Sequence, residues 1–246
     1  MIRRTFAVST VLAAGSVIAA ALYWLFLNTP ESNVFMLVAS LLLVLALVTV
    51  AAVTVNAAVL RARGASVRTA LAAGSRGTGW FVIVVVPLLC AWWAIGRGDD
   101  WITRHQGEIN AWFIARFGWA DITRLLQTEM WISRWLRWAV LPMIAVSLLA
   151  ALLTREGRHS DWVRRARHWR TLLVATLVFF LLFALPWQLT SWRPELPPTW
   201  IEPAAAGLRL GVVFLLGLIG AAVMIIASVG TVSAGRSGPL DRQPHD

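Results

Sequence analysis

Six long runs without a single charged residue constrain this chain more than any other feature. They cover residues 5–30, 32–60, 77–96, 138–154, 171–192 and 210–235 and are 17 to 29 residues long. An uncharged apolar segment in a soluble core seldom exceeds about 14 residues, whereas a helix needs about 20 to cross a bilayer. Continuous apolar runs also exclude a transmembrane β-barrel, whose strands alternate in polarity over about 10 residues. We therefore predict an all-α, polytopic transmembrane helical bundle with six spans.

The runs and the segments between them define one membrane domain, residues 1–234. We place its spans at about residues 6–27, 34–60, 79–96, 136–154, 171–192 and 208–232. The first run ends in Tyr23, Trp24 and Phe26 rather than at a small-residue cleavage site, so we expect a retained span and not a signal peptide. The tail 235–246 is rich in glycine, proline and polar residues, which predicts disorder.

Residues 97–135 form the one long connection on their side of the predicted bundle. Apolar residues recur there at helical spacing among charged ones, which is typical of helices that lie in the membrane interface. We therefore predict an interfacial amphipathic helical segment between spans 3 and 4. A static platform that shields the bundle and a moving lid or partner-docking surface both fit this pattern.

The charge distribution orients the bundle. All 22 cationic residues are arginine. The N-terminus, residues 61–76, residues 155–170 and the tail together hold 14 arginines and 4 acidic residues, whereas the opposite side holds 8 of each. Arginine and lysine concentrate on the cytoplasmic side of membrane proteins. We therefore predict a bacterial-type inner (plasma) membrane location with both termini in the cytoplasm.

The net charge of +10 does not indicate a nucleic-acid-binding protein, because the arginines lie almost entirely between apolar runs. Basic residues beside a span bind anionic lipid headgroups. We expect such contacts from six arginines, namely Arg61, Arg63, Arg164, Arg165, Arg167 and Arg170.

Tryptophan is distributed the opposite way to arginine. Twelve of the fifteen tryptophans lie at or beyond the outer ends of the runs, where indole rings favour the headgroup layer. Six of them define a predicted outer interfacial or partner surface: Trp101, Trp112, Trp119, Trp131, Trp135 and Trp138.

The runs lack the polar groups that usually mark function at bilayer depth. None contains Asp, Glu, Arg, Lys or His, which argues against proton-coupled transport, charge-lined channels, haem ligation and acid–base catalysis within the membrane. The strongest polar group inside a run is Asn56, for which we expect an interhelical hydrogen bond.

Few residues outside the runs point to a cofactor or a metal. His105 and Glu108 are three residues apart, but no further histidine or cysteine accompanies them, so we expect neither. We expect Asp99 and Asp100 to cap the helix that follows span 3.

Small residues line one face of the last run. Gly207, Gly211, Gly217 and Ala221 allow a close approach of another helix, either within this chain or from another subunit.

Three functions fit these patterns. The leading hypothesis is a non-catalytic accessory, assembly or scaffolding subunit that contacts membrane lipids and other membrane subunits. The alternative is a carrier for a lipid or another hydrophobic molecule, with the segment after span 3 as a gate. The third is an enzyme acting at the outer interface through His105, Glu108, Asp99 and Asp100.

Overall fold

The computed structural model describes residues 2–30, 33–118, 122–153, 169–192 and 201–233. Within these ranges every regular element is helical and no strand is present. The elements in chain order are α1 (Ile2–Leu27), α2 (Val34–Ala62), α3 (Val67–Arg76), α4 (Thr78–Arg104), α5 (Gln106–Phe117), α6 (Thr123–Trp135), a π-helical turn π1 (Leu136–Val140), α7 (Leu141–Leu153), α8 (Trp169–Phe179), a second π-helical turn π2 (Phe180–Ala184), α9 (Leu185–Ser191) and α10 (Ile201–Ser233).

Six helical stretches are long and apolar enough to cross a membrane. They are Arg4–Leu27, Val34–Ala62, Thr78–Arg104, Thr123–Leu153, Leu173–Ser191 and Ile201–Val229. Each contains one of the six uncharged runs or most of it. The prediction of a multi-pass, all-helical membrane protein is confirmed at this level.

Apolar side chains cover the outside of the bundle. Val34 and Phe35 on α2 are each 77% exposed. Only 6% of the most apolar window of α2 and of α4 is buried inside the chain, against 33% for the stretch 123–153. Such a surface suits a hydrocarbon solvent, since lipid tails and not water then cover these side chains.

The packed interior lies where α7 and α10 meet. α10 also contacts α1, α2 and α8, and α7 contacts α4. Small and branched residues fill this core, which includes Val8, Val59, Met143, Ala150, Val178, Ala222 and Ile225. Small side chains let helix backbones approach closely, which is the main source of packing energy when lipid surrounds the helices.

Local signals set several helix ends. The side chains of Asn33 and Ser66 accept hydrogen bonds from the backbone N–H groups of Met36 and Thr69 and so begin α2 and α3. Gly118 ends α5 in the left-handed conformation with φ of 67°, which glycine adopts at no steric cost.

Each π-helical turn ends two residues before a proline. The N–H of Leu141 donates to the carbonyl of Leu136 just before Pro142, and the N–H of Leu185 donates to the carbonyl of Phe180 just before Pro186. A proline within a helix lacks an N–H, and its ring collides with the carbonyl four residues back. The wider turn accommodates that carbonyl without breaking the helix.

The helices do not stop where the uncharged runs stop. α4 continues through Asp99 and Asp100 to Arg104, and α6 joins α7 through π1 without a break. The expectation that Asp99 and Asp100 cap a following helix is therefore wrong, because both lie inside α4. Residues 97–135 consist of the end of α4, the separate helix α5, and α6, with residues 119–121 outside the described ranges.

Candidate functional site

A polar cluster joins α4 to α6 and π1. The Ser133 hydroxyl donates a hydrogen bond to Asp99 Oδ2 at 2.6 Å, and Arg137 Nη1 lies 3.4 Å from the same oxygen. The Asp99 and Arg137 side chains are 21% and 19% exposed. The pair is therefore shielded enough from solvent for its charges to interact more strongly than on an open surface.

The Arg137 guanidinium is held between a ring and a glycine. Its Cζ lies 4.0 Å from the centroid of the Trp92 ring, which adds a cation–π contact. A Cβ atom placed on Gly96 would lie 3.0 Å from Arg137 Nη2. Glycine at position 96 thus permits the close approach of this arginine to α4.

Glu129 lies one helical turn before Ser133, on the part of α6 that precedes the apolar residues 136–153. Its carboxyl group is close to that of Asp99, so the cluster brings two acidic side chains together near Arg137.

A second arginine, Arg134, lies among three aromatic rings. Its Cζ is 5.7 Å from each of the ring centroids of Trp131, Phe183 and Trp187. These rings belong to α6, π2 and α9, so the arginine links the two π-containing helices through their aromatic side chains.

The same rings belong to a larger aromatic cluster. The centroids of Trp138 and Phe183 are 5.6 Å apart, and those of Phe183 and Phe179 are 5.3 Å apart, in both cases stacked. Trp92 meets Trp138 edge to face at 6.1 Å, and Trp131 meets Phe179 in the same way at 6.1 Å. This aromatic cluster connects the polar cluster on α4 to the surface of α8 and π2.

An apolar groove of about 330 Å³ opens beside Arg134. Its lining residues are Trp131, Phe179, Phe180, Ala184, Leu185 and Gln188. Trp131, Phe180 and Leu185 are exposed, so the groove faces the outside of the bundle.

The six tryptophans predicted to form one surface occupy different places. Trp131 and Trp138 belong to the aromatic cluster, whereas Trp135 is half-buried against the core. Trp101 stacks on His105 at 4.6 Å, and Trp112 packs edge to face on Phe113 and Phe117 within α5. Trp119 lies outside the described residues.

Two residues of the enzyme hypothesis, His105 and Asp99, contact other groups of the fold. His105 Nδ1 is 2.9 Å from the backbone carbonyl of Trp101, so the ring is engaged with α4. Asp99 is engaged by Ser133 and Arg137. Within the described ranges no group of three or more histidine, cysteine, aspartate or glutamate residues could hold a metal ion.

Asn56 lies fully buried at the joint of α2 and α3. Its Nδ2 donates to the backbone carbonyl of Gly74 at 3.1 Å, near the end of α3. A Cβ atom on Gly77 would lie 3.1 Å from the same nitrogen. The side chain therefore ties α2 to the turn that leads into α4.

The small residues of α10 are divided between two environments. A Cβ atom placed on Gly207, Gly211 or Gly217 would meet no atom of the described residues within 4 Å, and Ala221 is half-buried. Gly220 by contrast packs closely, because a Cβ there would lie 2.9 Å from the side chain of Leu182.

The arginines predicted to contact lipid are only partly described. Arg61 Nη1 donates to the carbonyl of Ala65 at 2.5 Å and so helps to end α2, and Arg63 is half-buried beside it. Arg164, Arg165 and Arg167 lie outside the described residues, as does the side chain of Arg170.

The sequence reasoning missed the polar cluster, although a signal for it exists. Glu129, Ser133 and Arg137 are four residues apart and lie on one face of a helix that continues into an apolar run. A polar stripe in that position indicates a partner on a neighbouring helix.

Compared with models of known protein families, with curated proteins and with solved structures, the chain matches none.

Proposed function

We propose that this chain is a non-catalytic, multi-pass membrane protein that serves as an accessory or assembly subunit. In this proposal the first half of α10 receives a helix of another membrane protein. The observation that carries it is the open space around Gly207 and Gly211.

Two glycines one turn apart are costly in a helix surrounded only by lipid. Each destabilises a helix interior by roughly 1 kcal/mol relative to alanine. The neighbouring Leu208 and Leu210 are 71% and 64% exposed, so no other element of the described chain covers this face. A partner helix would offset the cost, because glycine at this spacing allows backbones to approach and pack.

The same helix illustrates what a packed glycine looks like. Gly220 lies against Leu182 of this chain. Gly207 and Gly211 also lack a side chain, but no atom of the described residues lies within 4 Å of a Cβ placed on them. This contrast supports a contact outside the chain for the first half of α10.

The proposal includes an orientation. We place the chain in a bacterial-type inner membrane with both ends in the cytoplasm, on the basis of the arginine excess on that side. α5, which has no buried residue, and the adjoining ends of α4 and α6 then lie in the outer interface as a platform.

Substitution of Gly211 tests the partner contact. Gly211→Leu has room for its side chain, so the variant folds as the unchanged protein does, but it blocks the approach of another helix. Gly79→Leu is the matched control, because Gly79 on α4 also has nothing within 4 Å. We expect the native complex in mild detergent to be lost with Gly211→Leu and retained with Gly79→Leu.

A photo-crosslinking amino acid at position 211 identifies the neighbour in intact membranes. A crosslinked product containing a second, different polypeptide supports the proposal. Crosslinks to lipid alone contradict it. A product of twice the mass of this chain also contradicts it, because the neighbour is then a second copy of the chain and the protein is a homodimer.

A further inference from the structure

Arg134 carries a charge that the described part of the chain does not neutralise. Among the described residues no side chain or carbonyl accepts a hydrogen bond from its guanidinium, whose recorded partners are the three rings. Arg137, three residues further on, pairs with Asp99. The Arg134 side chain is partly exposed, so its N–H donors can reach a ligand.

The groove beside this arginine provides an apolar surface. Its volume of about 330 Å³ is at the lower end of the range for ligand sites, roughly 300–1,000 Å³. Five of its six lining residues are aromatic or aliphatic, and the sixth, Gln188, adds an amide on α9. Trp131 belongs both to the groove and to the rings around Arg134, so the charge and the groove are adjacent.

We propose that this juxtaposition is a binding site for an anionic phospholipid, with its phosphate on Arg134 and one acyl chain in the groove. The site does not depend on the proposed partner of α10. The occupant is specified by two features together. A guanidinium presents several N–H donors that match phosphate oxygens, and the groove offers an apolar surface to the chain.

The rings explain why a zwitterionic lipid is a poorer ligand. A choline group is itself attracted to aromatic faces. Here the faces of Trp131, Phe183 and Trp187 are already occupied by the Arg134 guanidinium. A second cation at the same rings is repelled, so an anionic lipid without such a group is favoured.

Native mass spectrometry of the purified full-length chain tests the site. The probes are phosphatidylglycerol, phosphatidylcholine with the same chains, and inorganic phosphate. We expect phosphatidylglycerol to bind about tenfold more tightly than phosphatidylcholine, because Arg134 repels the choline cation. Inorganic phosphate at millimolar concentration should not displace the bound phosphatidylglycerol.

Two variants and one control locate the site. Arg134→Gln should weaken phosphatidylglycerol binding by about tenfold, whereas Arg124→Gln, an exposed arginine on the same helix, should change it by less than about twofold. Leu185→Trp fills the groove while keeping the charge, and it should also weaken binding.

Each outcome decides the proposal. Equal binding of the two phospholipids, or unchanged binding by Arg134→Gln, overturns it. Displacement by inorganic phosphate shows that the anion alone is recognised and removes the groove from the site. If Arg134→Gln does not fold, two measurements still test the proposal. They are the comparison of the two phospholipids on the unchanged chain and the binding of phosphatidylglycerol by Leu185→Trp.

Discussion

Substitution of Asp99 by asparagine should destabilise the bundle by about 2 kcal/mol. By Coulomb's law, a pair at the 3.4 Å separation of Asp99 and Arg137 is worth about 1 kcal/mol in water and about 5 kcal/mol at the effective dielectric constant of a protein surface. Both side chains are about one-fifth exposed, so the net value lies well below the upper figure. The short hydrogen bond from Ser133 loses its charged acceptor as well, which costs about 1 kcal/mol.

A double-mutant cycle separates these contributions. We expect a coupling energy of about 1 kcal/mol between Asp99→Asn and Arg137→Gln. This value is smaller than the full effect of Asp99→Asn, because the contact of Arg137 with Trp92 remains when the carboxylate is lost. The cycle with Ser133→Ala should give a similar value. The measurement is the free energy of unfolding in mixed detergent micelles, followed by far-UV circular dichroism as the denaturing detergent is raised.

Asp100→Asn is the matched control for this prediction. Asp100 is the adjacent residue of α4, is exposed, and its backbone carbonyl accepts a hydrogen bond from the Arg104 side chain. If Asp99→Asn costs no more than Asp100→Asn, the polar cluster does not stabilise the fold and the reasoning from its geometry is refuted.

Two further predictions concern other parts of the chain. Gly220→Leu should lower the free energy of unfolding by roughly 1–3 kcal/mol, because its side chain would overlap that of Leu182, and an unchanged midpoint would contradict this packing. Reporter fusions at Gly64 and Ala115 should report opposite sides of the membrane, since α4 separates them, and the same side for both would exclude α4 as a span.

The number and the positions of the apolar helices could be predicted from the sequence because each run is long enough to require a membrane. The residues at which these helices end could not be predicted in the same way. An uncharged run marks the length of chain that suits hydrocarbon, whereas a helix continues through charged residues whenever its backbone hydrogen bonds are kept. Asp99 and Arg104 are therefore within α4, although they lie beyond the third run.

Most of the candidate site could not be predicted from the sequence, because its residues come from distant parts of the chain. Asp99 and Arg137 are 38 residues apart in the chain, and their contact depends on how α4 packs against α6 and π1. The surroundings of Arg134 could not be predicted for the same reason, since two of the three rings around it come from π2 and α9. Residue types and local spacing specify a helix face, but not the face of the helix that opposes it.

The two prolines that follow the π-helical turns account for how these faces meet. One extra residue in a helical turn rotates the side chains before it by about 100° relative to those after it. A strict helical periodicity through 131–146 or 175–190 therefore misplaces the aromatic side chains. With both turns present, Trp138 of π1 and Phe183 of π2 stack at 5.6 Å and connect the polar cluster to the groove beside Arg134. Pro142 and Pro186 thus set the rotation of two helices against each other rather than acting as simple kinks.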